Sequence, residues 1–202
     1  ILFFIFYIKG YSKFKIMVLI LSLISIIFIL NTNNQKQRLF VNSLQNIQNG
    51  EVWISVMHDA HMRTSLNMFL QNPIFGVGPK MFRYHCSEKR YEIKNPPNNK
   101  SNELRCSTHP HNLLIQAMAE TGIIGMFFYL SVFFYVIFQL IKDIIDRFNR
   151  VNKSILNFRI FFLYSFFITL WPLAPSGNLF NNWLSIIFFY PLGFYLYFSK
   201  HK

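Results

Sequence analysis

The stretch IIGMFFYLSVFFYVIFQLI, residues 123–141, decides the fold class. It carries no charge, and as a helix rising 1.5 Å per residue it extends about 28 Å, close to the roughly 30 Å hydrocarbon core of a bilayer. The whole chain agrees with it. Of 202 residues, 52% are hydrophobic, 19% aromatic and only 14% charged. A soluble domain carries nearer a quarter of charged residues and breaks its apolar residues into amphipathic patterns. Here they come in unbroken runs, so the expected solvent is lipid. A net charge of +12 suits nucleic acid in principle, but bilayer-length runs argue against that partner. Membrane topology and an anionic ligand account for the charge better.

Three further runs flank the first: IMVLILSLISIIFIL (16–30), ILNFRIFFLYSFFITLW (155–171) and NWLSIIFFYPLGFYLYF (182–198). The first is short but spans with flanking residues or local thinning. Arg159 lies close enough to the start of the second to snorkel. Pro191 predicts a kink in the third, tolerated where neighbouring helices cover the freed carbonyl. The chain opens inside ILFFIFYI (1–8), too short to span and without the basic start and cleavage site of a signal peptide. The sequence is therefore expected to be the C-terminal piece of a longer membrane protein. Short basic connections mark the cytoplasmic side, and KGYSKFK (9–15), KDIIDRFNRVNK (142–153) and SKHK (199–202) alternate correctly with the four spans. Residues 31–112 and 174–181 then lie outside the cytoplasm. The expected division is transmembrane helices over 1–30, an external loop domain over 31–112, and three C-terminal transmembrane helices over 113–202.

In the external segment, 31–50 reads as a solvated, Asn- and Gln-rich connection without a core. EVWISVMHDAHMRTSLNMFLQN (51–72) reads as a helix, with Trp53, Val56, Met57, Ala60, Thr64 and Met68 at three- and four-residue steps and Pro73 limiting its end. Such a helix rests on the bilayer surface or packs across the bundle. In PIFGVGPKMFRYHC (73–86), Gly76 and Gly78 either make turns or cradle phosphate oxygens with their amides. Pro79 starts a short helix in this reading, placing Lys80 and Arg83 on one face. Residues 87–105 form a charged loop bracketed by Cys86 and Cys106. In an oxidising compartment those two are expected to pair; the alternative is half of a zinc set in Cys106-x-x-His109-x-His111.

CSTHPHNLLIQAMAETGIIG (106–125) carries the remaining chemistry. Pro110 favours the first turn of a helix that His111 also opens. Asn112, Gln116 and Glu120 follow at four-residue steps, a polar stripe that must face protein or a wet cavity rather than lipid. Gly122 and Gly125 are small enough to admit another helix. A neutral imidazole at this mouth accepts a proton from a hydroxyl near physiological pH, with Glu120 orienting the network. The competing reading is that both histidines only cap and anchor the helix.

PIFGVGPKMFR, CSTHPHNLLIQAMAETGIIG and LWPLAPSGNLFNNW (170–183) together resemble the C-terminal half of the O-antigen ligase/polymerase superfamily of bacterial membrane glycosyltransferases. The most specific part is His111-Asn112, nine residues, then Gly122-x-x-Gly125. The resemblance implies an all-α integral membrane protein, a GT-C-like helix bundle in the bacterial inner membrane with a large periplasmic loop. It implies transfer of a glycan from an undecaprenyl-pyrophosphate carrier to a hydroxyl on a lipid or another glycan, with no nucleotide sugar, metal or other cofactor. His111, with His109, Asn112 and Glu120, forms the catalytic set by that analogy. Arg83, Lys80, Arg63 and His61 are the candidates for the donor pyrophosphate, since guanidinium forks suit phosphate and the leaving charge needs stabilising. Ligases of this family carry a leucine four residues after the functional arginine, whereas Asn67 follows Arg63 here, which shifts weight to His61. Members also have ten or more spans and a further arginine from helices absent here, so the piece alone is expected to be inactive. Two other classes stand beside this one: a non-catalytic polysaccharide transporter or flippase subunit, and a zinc-dependent hydrolase using His58, His61, His109 and His111.

Overall fold

The computed structural model describes residues 12–31, 37–48, 50, 55–149 and 154–200. Among them there is no strand. The α-helices in this described part are α1 (Ser12–Asn31), α2 (Ser43–Gln48), α3 (Val56–Gln71), α4 (Phe82–His85), α5 (Leu113–Asn149), α6 (Ser154–Thr169) and α7 (Asn182–Lys200). A π-helical turn at Gln37–Asn42 leads into α2, so part of the connection expected to be unstructured is helical. The apolar runs fall in α1, α5, α6 and α7, although α6 stops at Thr169, three residues before Pro172. The run at 1–8, the basic residues 9–11, 150–153 and 201–202, and Trp53 lie outside the described residues.

One described helix, Leu113–Arg147 within α5, is long and apolar enough to cross a membrane, and Ile155–Thr169 is a shorter apolar helix. At 37 residues α5 is about 55 Å long, well beyond the bilayer core. It absorbs the basic segment 142–149 that the sequence reading places in a connection. Nothing in KDIIDRFN breaks a helix.

Residues Tyr129, Phe133, Val136 and Leu140 of α5 recur at helical spacing and are buried in one cluster with Leu156, Ile160, Leu163 and Phe166 of α6, Leu170 just after it, and Tyr195 of α7. Lipid tails are as apolar as these side chains, so association rests on close packing rather than escape from water. Aromatic stacking supplies much of it. Phe162 stacks on Phe194 at 4.8 Å between centroids, and Phe158 on Phe198 at 5.2 Å. Helix α7 continues through Pro191.

Arg159 does not snorkel. Its Nη2 donates to Asp143 Oδ1 of α5 at 2.8 Å, both side chains are buried, and the guanidinium lies over the Tyr195 ring. A buried acid on the neighbouring helix offers the cation a nearer partner than the interface does.

Helix α3 begins where Ser55 caps it, the Ser55 Oγ accepting from His58 N at 3.2 Å. Its buried face, Ala60, His61, Thr64, Ser65 and Met68, packs against α5. Met57, expected on the apolar face, is exposed.

Candidate functional site

Helix α5 opens at Leu113, with Asn112 rather than Pro110 or His111 as its cap. Asn112 Oδ1 accepts from Ile115 N at 3.0 Å, and its Nδ2 donates to Pro172 O at 2.7 Å. One amide thus starts α5 and ties it to the loop after α6. Gln116, one turn on, donates to Asn178 Oδ1 at 2.8 Å and to Glu120 Oε2 at 2.9 Å, and accepts from Leu179 N. Glu120 Oε1 accepts from Phe82 N at 3.0 Å. The Asn112–Gln116–Glu120 stripe is fully buried, and it joins the α6–α7 loop on one side to the Lys80–Arg83 segment on the other.

Gly122 breaks α5 with φ +67° and ψ −156°. A Cβ there would lie 2.3 Å from Ile74 O, and one on Gly76 would lie 2.5 Å from the Glu120 carbonyl carbon. The two glycines admit a turn, 73–78, against the broken helix; no second helix approaches at Gly122. Gly125 makes room for the Thr121 hydroxyl of its own helix. The phosphate-cradle reading of Gly76 and Gly78 fails for a related reason. Gly76 N, Val77 N and Gly78 N donate to Asn72 O, Ala119 O and Glu120 O, and Phe82 N is taken by the Glu120 carboxylate. The two glycine amides are therefore already occupied within the protein. Lys80, at φ +63°, precedes α4 instead of sharing its face with Arg83.

Cys86 and Cys106 are bonded to each other, with their Cα atoms 5.2 Å apart. The bond holds the strand that carries His109 and His111 beside α4. His111 itself sits at φ +60°, a left-handed conformation sparsely populated by residues other than glycine and common at functional sites. Its carbonyl accepts from Ser176 N at 2.8 Å, and its Nε2 meets Ser107 Oγ at 3.1 Å. His109 Nε2 meets Ser176 O at 3.2 Å and its Nδ1 meets Thr108 Oγ1.

Four imidazoles gather here. The His111 ring centroid is 4.1 Å from His109, 5.4 Å from His61 and 5.5 Å from His58. His61 and His58 project from α3, so two segments about fifty residues apart in sequence meet ring to ring. His61 is 1% exposed. Burial, with His111 and His58 adding to it, pushes its imidazole down to about 4. The Leu104 and Cys106 backbones oppose that shift, but neither ring nitrogen reaches hydrogen-bonding geometry. His109 is held below the usual imidazole range by burial, with the Arg83 charge nearby, and His111 by burial and then by His109 and His58. All three are therefore neutral, proton-accepting rings near pH 7. Among the described residues no three His, Cys, Asp or Glu side chains converge as a metal ligand set. The cysteine sulfurs are bonded to each other, which removes the zinc reading that used Cys106.

An apolar cavity of about 650 Å³ lies beneath the polar stripe, between α5, α6 and α7, lined by Ala117, Thr121, Tyr129, Leu170, Phe189 and Leu192 among others.

A family model described as O-antigen ligase matches residues 1–130, a span that contains all four histidines, the disulfide and the kink of α5. The chain belongs to the O-antigen ligase family. No curated protein and no solved structure matches it. The family is membrane-associated, with a glycosyltransferase-like ligase activity.

Within this O-antigen ligase family member, the sequence-derived site residues separate into two groups. His61, His109 and His111 come together, and Arg83 lies in electrostatic reach of His109. Arg63 does not join them. Two positions from His61 on α3, it points to the far side of the helix. There its Nε binds Asp59 Oδ2 at 2.7 Å and it lines a separate groove with Arg90 and Lys94. Glu120 and Asn112 are tied into the backbone scaffold rather than to the histidine rings. Ser176 is a residue of the site that spacing did not reveal, and His58, grouped with the other three histidines only in the zinc reading, joins them by ring contact.

Proposed function

We propose that this chain forms the extracytoplasmic active half of an O-antigen ligase or polymerase. It transfers a glycan from an undecaprenyl-pyrophosphate carrier to a hydroxyl of a lipid or glycan acceptor at the outer face of the inner membrane. In this reading α1, α5, α6 and α7 are spans of a GT-C-like bundle and residues 31–112 are periplasmic. His111 is the base. The acceptor oxygen attacks the anomeric carbon, the bond from that carbon to the phosphate oxygen breaks, and the acceptor proton passes to the His111 ring. Arg83 and Lys80 stabilise the departing pyrophosphate. Asn112 and Glu120 act as positioning residues, one fixing the strand of His111 and the other the segment of Arg83. The cavity beneath the stripe accommodates hydrocarbon of a lipid-borne substrate.

The observation that carries the reading is the His111 ring, held in a left-handed conformation among neutral imidazoles at the mouth of the spanning helix, with a guanidinium close by. Its test is a gel of surface polysaccharide from cells carrying full-length protein or its His111→Ala variant. Loss of lipid-linked long chains with free polymer retained identifies a ligase, and loss of the polymer itself a polymerase. An unchanged pattern in a well-expressed variant contradicts the proposal and favours the non-catalytic transporter.

A further inference from the structure

The segment after α3 returns towards the membrane end of the molecule. Ile123 N donates to Pro73 O at 2.8 Å, while Val77 N and Gly78 N donate to Ala119 O and Glu120 O at 2.9 Å. Through Gly76 and Gly122 the two backbones are in direct contact. The turn is thus locked at the level of Ile123, the first residue of the uncharged run that spans the bilayer core. Ile123 lies ten residues after Leu113, just past the break at Gly122.

Turns that face water are built from Gly, Pro, Asn, Asp and Ser. This one carries Ile74 and Phe75, 57% and 73% exposed, with Leu70 at 72% before it and Tyr84 at 66% after it. The turn meets α5 at Ile123, and Ile123 and Phe127, one helical turn on, are both exposed. It is therefore continuous with the outer side of the helix that crosses the membrane. Lys80 and Arg83, both exposed, follow within one short segment.

We propose that the Leu70–Phe75 turn is a lipid-seating element, whose Leu70, Ile74 and Phe75 side chains insert among phospholipid acyl chains at the depth of Ile123. Acyl chains are the occupant because the patch extends the lipid-facing side of α5. The exposed cations lie on the same segment, as expected where the acyl region gives way to headgroup phosphates. Because the turn is bonded to the α5 kink, and Phe82 to Glu120, seating also fixes the depth of Lys80 and Arg83. That consequence rests on their proposed role towards a lipid pyrophosphate; the seating itself does not.

The test uses full-length protein carrying Phe75→Trp, reconstituted into phosphatidylcholine vesicles whose acyl chains are brominated near the headgroup or near the bilayer centre. Subtracting the spectrum of the unsubstituted protein isolates the introduced indole. It is expected to emit in the blue, to lose most of its emission to the shallow bromines and less to the deep ones, and to resist acrylamide. Phe127→Trp calibrates an exposed position on α5 outside the cavity, and Leu70→Trp serves if the first variant folds poorly. Strong quenching by acrylamide, meaning water exposure, overturns the proposal. So does resistance to both bromolipid and acrylamide, meaning that another protein segment or a second copy covers the patch. No glycan transfer is measured, so this result stands or falls apart from the proposed activity.

Discussion

The two ends of α5 handle buried polar groups in opposite ways. Towards its C-terminus, Arg159 and Asp143 bring opposite charges together in a buried ion pair beneath the Tyr195 ring. Towards its N-terminus, four imidazoles meet with no carboxylate among them. The Glu120 carboxylate is held by Phe82 N and Gln116, and Asp59 binds Arg63 on the other side of α3. Both ring nitrogens of His61 are buried without a hydrogen-bond partner. A buried polar group left unanswered costs roughly 1–3 kcal/mol. A scaffold that satisfies Asn112, Gln116 and Glu120 so fully had the means to satisfy His61 as well. One end thus joins opposite charges, and the other gathers like rings that burial keeps neutral.

The largest effect expected is on the scaffold of the N-terminal end. Gly122→Ala places a Cβ against Ile74 O at a backbone conformation that alanine avoids, and is expected to cost at least about 4 kcal/mol. Thermal unfolding in detergent should show it as a large drop in Tm; a Tm within a few degrees of wild type would mean the kink relaxes freely.

The imidazoles give a smaller effect with a defined sign. The His61 pKa is lower folded, about 4, than in the unfolded chain near 6.5. Between those values the unfolded state binds the extra proton, so stability is present above pH 6.5 and is lost as pH falls towards 4. The loss is on the order of 3 kcal/mol for His61, with His109 and His111 contributing in the same direction. His61→Leu is expected to flatten Tm against pH over that window, and a curve that stays as steep places the acid sensitivity elsewhere.

Replacing Cys86 and Cys106 together by alanine releases a loop of about 20 residues, worth roughly 3 kcal/mol in the chain-entropy model. The same loss of Tm should follow a reductant in the wild type and be absent in the double variant.

The smallest effect sharpens the comparison from the other end. Asp143→Leu with Arg159→Met replaces the buried pair by apolar side chains and should change stability by about 1 kcal/mol or less, whereas Asp143→Leu alone strands a buried cation at about 3–5 kcal/mol. Equal losses in the single and double variants would show that the pair does more than answer itself.

The sequence made the helical runs legible because lipid-facing helices are apolar all round, a signal that needs no tertiary context. The stripe at Asn112, Gln116 and Glu120 was legible for the same kind of reason, since period alone puts three polar groups on one face. The kink was not: Gly122 breaks α5 because Ile74 and Phe75 lie against it, a contact between residues almost fifty positions apart. The same contact consumed the amides of the glycine turn and undid its reading as a phosphate cradle. Arg159 looked free to snorkel because its partner Asp143 sits in a different run. His58 stood beside His61 in the sequence, but its contact with the His111 ring exists only because α3 packs on α5.

The central claim is that the neutral His111 ring takes a proton in the transfer step. The direct measurement is the rate of glycan transfer against pH by membranes containing full-length protein. Because His111 is held below its ordinary range, the rate should rise through an acid limb centred below pH 6.5 and level off above it. In His111→Ala only a small rate without that limb should remain. A rate indifferent to pH between 4 and 7, or a limb that survives in His111→Ala, would contradict the account.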